Sequence, residues 1–340
     1  MLAAHYEGSG SIRVRETEPR SPGPGEVQIA VAYTGICGTD LHILHGAMDH
    51  RVGPSAVLGH EMSGRIGALG PQVAGWAVGD PVSVMPLRWC GDCPACRDGN
   101  THVCHTLTFI GIDSPGSLQE RWNVPADVLV RLPADLDLAH AALVEPTAVA
   151  VHDVRRAGLL ATESAVVIGA GPIGLLIACV ARTEAARVLM VEPDSSRRAL
   201  AVELGFETLD PSGCDVPAAV QAWTQGAGAA VVFEVSSSQQ GLDTAVASLA
   251  VRGRLVVVGI HPPHRDVDLF RFFWRELTLH GARVYQREDV ERAVELVADG
   301  AIPADRLISR VEPLAQAAEA FRSLESGGVM KVLVKCGDDD

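Results

Sequence analysis

Four cysteines, Cys90, Cys93, Cys96 and Cys104, follow the spacing C-x2-C-x2-C-x7-C. Thiolates this dense fit a tetrahedral zinc held by all four, which stabilises a loop that has little core of its own. Further along, Gly169-Ala170-Gly171-Pro172-Ile173-Gly174 is a turn suited to a nucleotide pyrophosphate at a helix N-terminus. Few protein classes need both.

The glycine turn is a weak pattern by itself, and its setting strengthens it. Ala165-Val166-Val167-Ile168 reads as a buried strand, a helix opens at Pro172, and Glu192, 18 positions after Gly174, closes the next strand. Glycines let the backbone approach the pyrophosphate, and a carboxylate at 192 can hold the adenosine ribose hydroxyls. That charge repels a 2′-phosphate and favours NAD over NADP. Arg197 and Arg198 pull the other way, because a nearby arginine accepts that phosphate. Val235 and Gly259, at the ends of two later strands, complete the candidate cofactor contacts.

A second metal-competent set is dispersed. Cys37 lies in Gly35-Ile36-Cys37-Gly38-Thr39-Asp40-Leu41-His42, His60-Glu61 in Gly59-His60-Glu61-Met62-Ser63-Gly64, and Glu145 in Val144-Glu145-Pro146. A thiolate, an imidazole and one or two carboxylates make an open zinc site, with a fourth position for water or substrate. Spacing does not show that these segments meet. Read from the residues alone, the open site and a buried cysteine with a core histidine stand about even.

The elements that must position these groups change character along the chain. Up to about residue 150 the chain reads as short strands and turns; Glu26 to Tyr33 alternates with period two after the turn Ser21-Pro22-Gly23-Pro24-Gly25. From Ala165 strands and helices alternate: Arg187 to Val191, Ala229 to Val235 and Arg254 to Gly259 as strands, with a helix from Ser195 to Leu204 and another between the last two strands. That rhythm predicts a doubly wound parallel sheet. The tail carries helical patterns at Arg287 to Asp299 and Leu314 to Leu324, the strand Lys331 to Val334, and a solvated end from Gly337 to Asp340. The fold class is α/β.

The residues match the zinc-dependent medium-chain alcohol dehydrogenases, and within them the chain resembles the branch of sorbitol, threonine and (R,R)-2,3-butanediol dehydrogenases. The resemblance rests on GICGTDLH at Gly35 to His42, GHEMSG at Gly59 to Gly64, the four-cysteine run, ALVEP at Ala142 to Pro146 and GAGPIG at Gly169 to Gly174, in this order. It implies a GroES-like β-rich catalytic domain over 1–150, a Rossmann cofactor domain over 151–282, and a return to the first domain over 283–340. It implies that Cys37 and His60 ligate a catalytic zinc, with Glu61 or Glu145 supplying the carboxylate. Asp40 would orient His60, and Thr39 and His42 would relay a proton. The cofactors implied are zinc, catalytic and structural, and NAD. The reaction is hydride transfer between NAD and a secondary alcohol: a diol, polyol, cyclitol or hydroxy-amino acid. The chain departs from its relatives at Gln119 and Arg121, and carries His45, Asp49 and His50 where relatives shape the substrate pocket. These polar residues suit a hydroxyl-rich substrate. Cys179 and the helix residues Leu175, Leu176 and Val180 are expected in the core, and His102 and His105 in a loop.

Bulk properties exclude other classes. The chain has 340 residues and a net charge of −14, which argues against nucleic-acid or anionic-membrane partners. A zinc-ribbon nucleic-acid module is disfavoured on the same ground. A same-fold reductase without catalytic zinc conflicts with Cys37, His60 and Glu61, and a silent paralogue with the intact Thr39 and His42. Two uncharged runs, Ser164 to Ala181 and Val216 to Phe233, approach membrane-span length, but glycine, proline and glutamine interrupt them. Eight cysteines without a secretory leader suggest a reducing, cytoplasmic setting. The expected partner is an alcohol or ketone, and the expected assembly a homodimer or homotetramer. Lys331 and Lys335 are the only lysines, which reads as genomic composition bias.

Overall fold

The computed structural model describes every residue except Ser9, Ala185, Ser326, Gly327 and Asp338 to Asp340. The expected solvated end therefore lies outside the described residues beyond Gly337. The chain divides into two compact units, Met1–Pro146 with Gln286–Asp340, and Thr147–Tyr285. The expected boundaries at 150 and 282 fall within a few residues of these, and the helix Val144–Ala157 runs across the first.

The strand Glu26–Gly35 organises the first unit. Its alternate residues Val27, Ile29 and Val31 are buried, as the period-two pattern requires. It lies inside a seven-stranded sheet whose order is Leu129–Arg131, Pro81–Val84, Glu61–Leu69, Glu26–Gly35, Lys331–Lys335 and Ile308–Pro313, with Arg121–Pro125 also paired to Glu26–Gly35. Gly64 pairs with Val31, and a Cβ there would stand 2.3 Å from the Ala30 carbonyl oxygen, so only glycine fits this close approach. The two segments carrying Cys37 and His60 leave neighbouring strands of this sheet, Glu26–Gly35 at its end and Glu61–Leu69 at its start.

The second unit is a six-stranded parallel sheet in the order Glu207–Leu209, Arg187–Val191, Ser164–Ile168, Ala229–Glu234, Leu249–Val257 and Thr278–Gly281. Its strand order reverses between Ser164–Ile168 and Ala229–Glu234, the point outside whose carboxyl ends ligands bind in open α/β sheets. Val166, Leu189, Val220, Val232, Leu242 and Leu255 fill one buried cluster between sheet and helices. Leu175, Leu176, Cys179 and Val180 are buried on the helix Pro172–Thr183.

The first uncharged run resolves into a strand, a turn and that helix. The second resolves into the helix Val216–Trp223, capped by Asp215, and the strand Ala229–Glu234. Among the described residues, no helix is long and apolar enough to cross a membrane.

Two expected elements differ. The strand expected at Arg254 to Gly259 begins earlier, at Leu249, and ends at Val257; its register against Ala229–Glu234 shifts, and Arg252 takes a positive φ of 60° inside it. The helix expected at Leu314 to Leu324 is a 3-10 turn, Leu314–Gln316, followed by the helix Ala317–Glu325.

Candidate functional site

Cys37 ends the strand Glu26–Gly35 and caps the helix Gly38–Leu44. Its thiol sulfur accepts from Thr39 N at 3.2 Å, and its own N–H donates to Asp40 Oδ2 at 2.9 Å. This reciprocal cap holds the sulfur in one place. The start of Glu61–Leu69 brings His60 Nε2 to 3.2 Å from Cys37 Sγ. One ligand atom each from Cys37, His60 and Glu61 lies within 4.8 Å of the others.

The surroundings add buried charges. Asp40, His60, Glu61 and Glu145 are all buried. Asp40 Oδ1 faces His60 Nδ1 at 3.8 Å, and neither atom has a hydrogen-bond partner. Phe109 packs edge-on against the His60 ring, with centroids 5.1 Å apart. Burial pushes the Cys37 thiol and the Asp40 carboxyl up, partly offset by His60. Burial disfavours the His60 cation, but the Cys37 and Asp40 charges outweigh it and raise His60. Buried acidic groups in this number are paired or hold a metal. An imidazole facing a thiolate, with its far nitrogen turned to a carboxylate, is the donor set for zinc. The residues fit the ion.

Thr39 and His42 lie three apart on the helix Gly38–Leu44, Thr39 half-buried and His42 exposed. Glu145 sits in the first turn of Val144–Ala157, outside the cluster formed by Cys37, His60 and Glu61.

The residue that sequence reasoning passed over is Lys331. It is buried, and its Nζ donates to Glu61 Oε2 at 2.5 Å and to the Ile36 carbonyl at 3.4 Å. Burial disfavours its charge, but Glu61 and Cys37 more than compensate, so it stays protonated. The reading of the two lysines as composition bias gave no hint of this contact.

The four-cysteine lobe is assembled by two short paired strands, Leu87–Arg88 and Thr108–Phe109, and the helix Pro94–Arg97. Sγ separations are 4.0 Å for Cys90 to Cys96, 3.9 Å for Cys93 to Cys104 and 3.6 Å for Cys104 to Cys90. A tetrahedron with Zn–S of about 2.3 Å has edges of about 3.8 Å, whereas a disulfide needs about 2.05 Å. All four thiols are free and arranged for a metal. Backbone N–H groups of Cys90 and Thr106 pull the Cys104 thiol down to about 6, while burial pushes Cys96 up to about 12. His102 is buried in the turn Thr101–Val103, and His105 is exposed.

In the second unit each glycine of the turn has its own reason. Gly169 takes φ 107°, and a Cβ on Gly174 would lie 2.0 Å from the Gly169 carbonyl oxygen. At Gly171 the nearest atom to an added Cβ is Arg197 Nη1 at 3.9 Å, so the space above it is open. That is the division of labour of a pyrophosphate turn, and Pro172 and Ile173 open the helix behind it. Glu192 faces the same turn: Oε2 accepts from Ala170 N at 2.6 Å and Oε1 from Asp194 N at 2.9 Å. Arg198 is committed elsewhere, donating to the Glu192 and Pro193 carbonyls at 2.7 and 2.6 Å and pairing with Asp210 at 2.7 Å. Val235 and Gly259 follow the carboxyl ends of adjacent strands, with Val235 N donating to Ile168 O at 3.0 Å. The residues fit a dinucleotide.

Three of the polar residues expected to suit a hydroxyl-rich substrate have partners within the chain. His45 Nε2 contacts Glu325 at 2.5 Å, Asp49 accepts from Tyr6 at 2.6 Å, and Gln119 donates to the Gly116 carbonyl at 2.6 Å. These groups satisfy internal partners. His50 and Arg121 are exposed, and the Arg121 guanidinium lies over Gly67.

The alcohol dehydrogenase GroES-like domain matches residues 23–134, and the zinc-binding dehydrogenase domain matches residues 172–299. The chain belongs to the zinc-binding alcohol dehydrogenase family. A 2-dehydro-3-deoxy-L-galactonate 5-dehydrogenase of Pseudoalteromonas atlantica is 48% identical over 337 residues, 99% of each chain. The L-galactonate-5-dehydrogenase of Escherichia coli is 35% identical over 90% of each. Among solved structures, 2R,3R-butanediol dehydrogenase from Bacillus subtilis superposes with a TM-score of 0.91 at 31% identity, covering 98% of this chain and 99% of that one. A Sinorhizobium meliloti zinc-binding dehydrogenase bound to NADP gives 0.92 at 33%, over 98% of each. This dehydrogenase is an oxidoreductase that transfers a hydride between an alcohol and NAD(P).

Proposed function

We propose that this dehydrogenase oxidises the C5 secondary alcohol of a six-carbon sugar acid of the L-galactonate type, 2-dehydro-3-deoxy-L-galactonate first, with NAD as acceptor. The observation that carries the chemistry is the convergence of Cys37 Sγ and His60 Nε2 at 3.2 Å inside a buried acidic pocket. The substrate class rests on the two relatives named for C5 oxidation of such acids, one of them 48% identical over 99% of the chain. Sugar acids extend the alcohol classes expected from the sequence.

Cys37 and His60, with Glu61 or Glu145 supplying the carboxylate, would hold the catalytic zinc, and Cys90, Cys93, Cys96 and Cys104 the structural one. Bound at these places, zinc supplies Lewis-acid polarisation of the alcohol oxygen and NAD the hydride acceptor. The chain does the rest. Asp40 orients His60 through Nδ1. Thr39 Oγ1 takes the alcohol proton, and exposed His42 passes it to solvent. The balance is alcohol plus NAD giving ketone, NADH and a proton. Glu192, clamped by two amides, would hold the ribose hydroxyls, and its charge would repel a 2′-phosphate. Arg198 is already spent, which supports NAD over NADP.

We also infer a homo-oligomer working in a reducing cytoplasm, where the thiols stay free for metal. The support for assembly is an exposed apolar face: Leu269, Phe270, Phe273 and Trp274 are each 71–77% exposed beside the edge strand Thr278–Gly281.

The test follows NADH absorbance with 2-dehydro-3-deoxy-L-galactonate, L-galactonate, threonine, sorbitol and 2,3-butanediol, with and without a chelator. We expect kcat/KM highest for the deoxy sugar acid, at least tenfold lower with NADP, and lost on zinc removal. Preference for threonine or sorbitol would overturn the substrate; chelator-resistant turnover would overturn the metal.

A further inference from the structure

We propose that His261 and Arg265 are positioning residues for the cofactor: they latch the loop after Gly259 to the buried carboxylate of Glu234, and so hold the surface on which the nicotinamide ring rests. The inference rests on the NAD reading proposed above.

The fold says which end of the cofactor this is. Glu192 follows the strand Arg187–Val191, on one side of the reversal in strand order, and the glycine turn follows Ser164–Ile168. With the adenosine ribose at Glu192 and the pyrophosphate at the turn, the other half of a dinucleotide extends past the carboxyl ends of Ala229–Glu234 and Leu249–Val257. Glu234 ends the first of these strands and is fully buried. Its Oε1 accepts from Ser236 N at 2.8 Å and from Ser236 Oγ at 2.5 Å, and its Oε2 faces His261 Nε2 at 2.7 Å. A Cβ on Gly169 would stand 3.4 Å from Ser236 N, and one on Gly259 would stand 3.0 Å from Glu234 Oε2. One oxygen thus serves the turn that abuts Gly169, and the other lies beside Gly259.

Arg265 fixes the direction of the hydrogen bonds. Its Nε donates to His261 Nδ1 at 3.3 Å. A guanidinium can only donate, so Nδ1 accepts and the ring proton belongs on Nε2, aimed at Glu234. Arg265 Nη2 also donates to the Ser237 carbonyl at 2.8 Å, and Ser237 takes a φ of 58°, a left-handed conformation disfavoured for a residue with a Cβ. One residue on, Asp266 N donates to Gln239 Oε1 at 3.1 Å, and Gln239 Nε2 donates back to the Asp266 carbonyl at 2.9 Å. Three ties therefore sew residues 261–266 to residues 234–239. Between them Pro262, Pro263 and His264 are exposed, and the segment belongs to no helix or strand. A stretch with so little packing of its own owes its conformation to these bonds. A cofactor that needs the loop in place is weakened by the fraction of time the loop is away.

The experiment separates the two halves of the cofactor. Zinc-loaded wild type, His261→Ala, Arg265→Ala and His261→Gln are titrated with NADH by fluorescence and with ADP-ribose, which lacks only the nicotinamide ring, by calorimetry. In both alanine variants we expect the Kd for NADH to rise about tenfold, as if the loop were in place about a tenth of the time, while the Kd for ADP-ribose changes by less than about twofold. His261→Gln should bind NADH as wild type does, because its amide can donate to Glu234 and accept from Arg265. NADH and ADP-ribose weakened together in both alanine variants would make the network a general support of the fold, and unchanged NADH binding would make it idle; either result overturns the proposal. A glutamine variant as weak as the alanine one overturns the hydrogen-bonded latch. Wild-type protein that binds neither ligand overturns the NAD reading beneath it.

Discussion

Tyr6 shows how a single residue far from the chemistry reports on it. Its ring is fully buried, and its hydroxyl donates to Asp49 Oδ1 at 2.6 Å, tying the first strand to the loop that follows the helix Gly38–Leu44. Burial, then the Asp49 carboxylate, push the phenol up to about 12. The folded value lies above the unfolded one of about 10, so the neutral phenol's contribution is complete below pH 10 and disappears as pH rises towards 12. Tyr6→Phe should lower stability at pH 8 by about 1–3 kcal/mol, and the gap to wild type should close between pH 10 and 12. Denaturant midpoints across that range decide it; a constant gap would sink the assignment. The same scale explains what the sequence hid. Cys90 to Cys104 declare themselves because their partners are a few residues apart. Lys331 does not, because its partner Glu61 is 270 residues away and the link exists only once three strands are side by side. Glu192 was legible as an acid in the right place, but its two amide partners were not.

At the scale of elements, legibility followed burial. The helix Arg287–Ala298 was readable because one face is buried and a capping box of Gln286 and Asp289 starts it. The helix Leu269–Arg275 was not, because none of its residues is buried and no periodic face remains to be seen. The strand Leu249–Val257 was read five residues short, since Arg252 and Gly253 interrupt its apolar run and Arg252 takes a positive φ. The four-cysteine lobe has the opposite character: a pattern clear in sequence and little secondary structure to support it. Its strands Leu87–Arg88 and Thr108–Phe109 are two residues each, so a metal on the four thiols would carry the stability that packing does not. Cys93→Ser should remove one zinc per chain and open residues 87–109 to protease, while NAD binding persists. Metal analysis with limited proteolysis tests this, and an intact, protease-resistant lobe would contradict it.

Across the whole molecule two forces oppose each other in assembly. A net charge of −14 repels copies, and the exposed aromatic face of Leu269–Arg275, with Phe270 and Trp274 stacked 6.0 Å apart, is the face proposed to bring them together. Trp274→Asp should shift the protein to monomers in sedimentation without loss of bound zinc; an unchanged oligomer would place the interface elsewhere. The order in which the chain is made adds a last consequence. The strand carrying Lys331 enters the middle of a sheet whose strands, Ile308–Pro313 apart, precede residue 132. The entire second unit is synthesised between them. At ribosomal speed the gap beside Glu26–Gly35 stays open for roughly ten to forty seconds. A chain cut short after that unit would own its thiolates, its glycine turn and Glu61, yet lack the buried Lys331 ammonium that pairs with Glu61. Such a fragment would leave Glu61 a buried charge without its partner and Glu26–Gly35 without the strand beside it, so the first unit closes only when translation has reached its final strand.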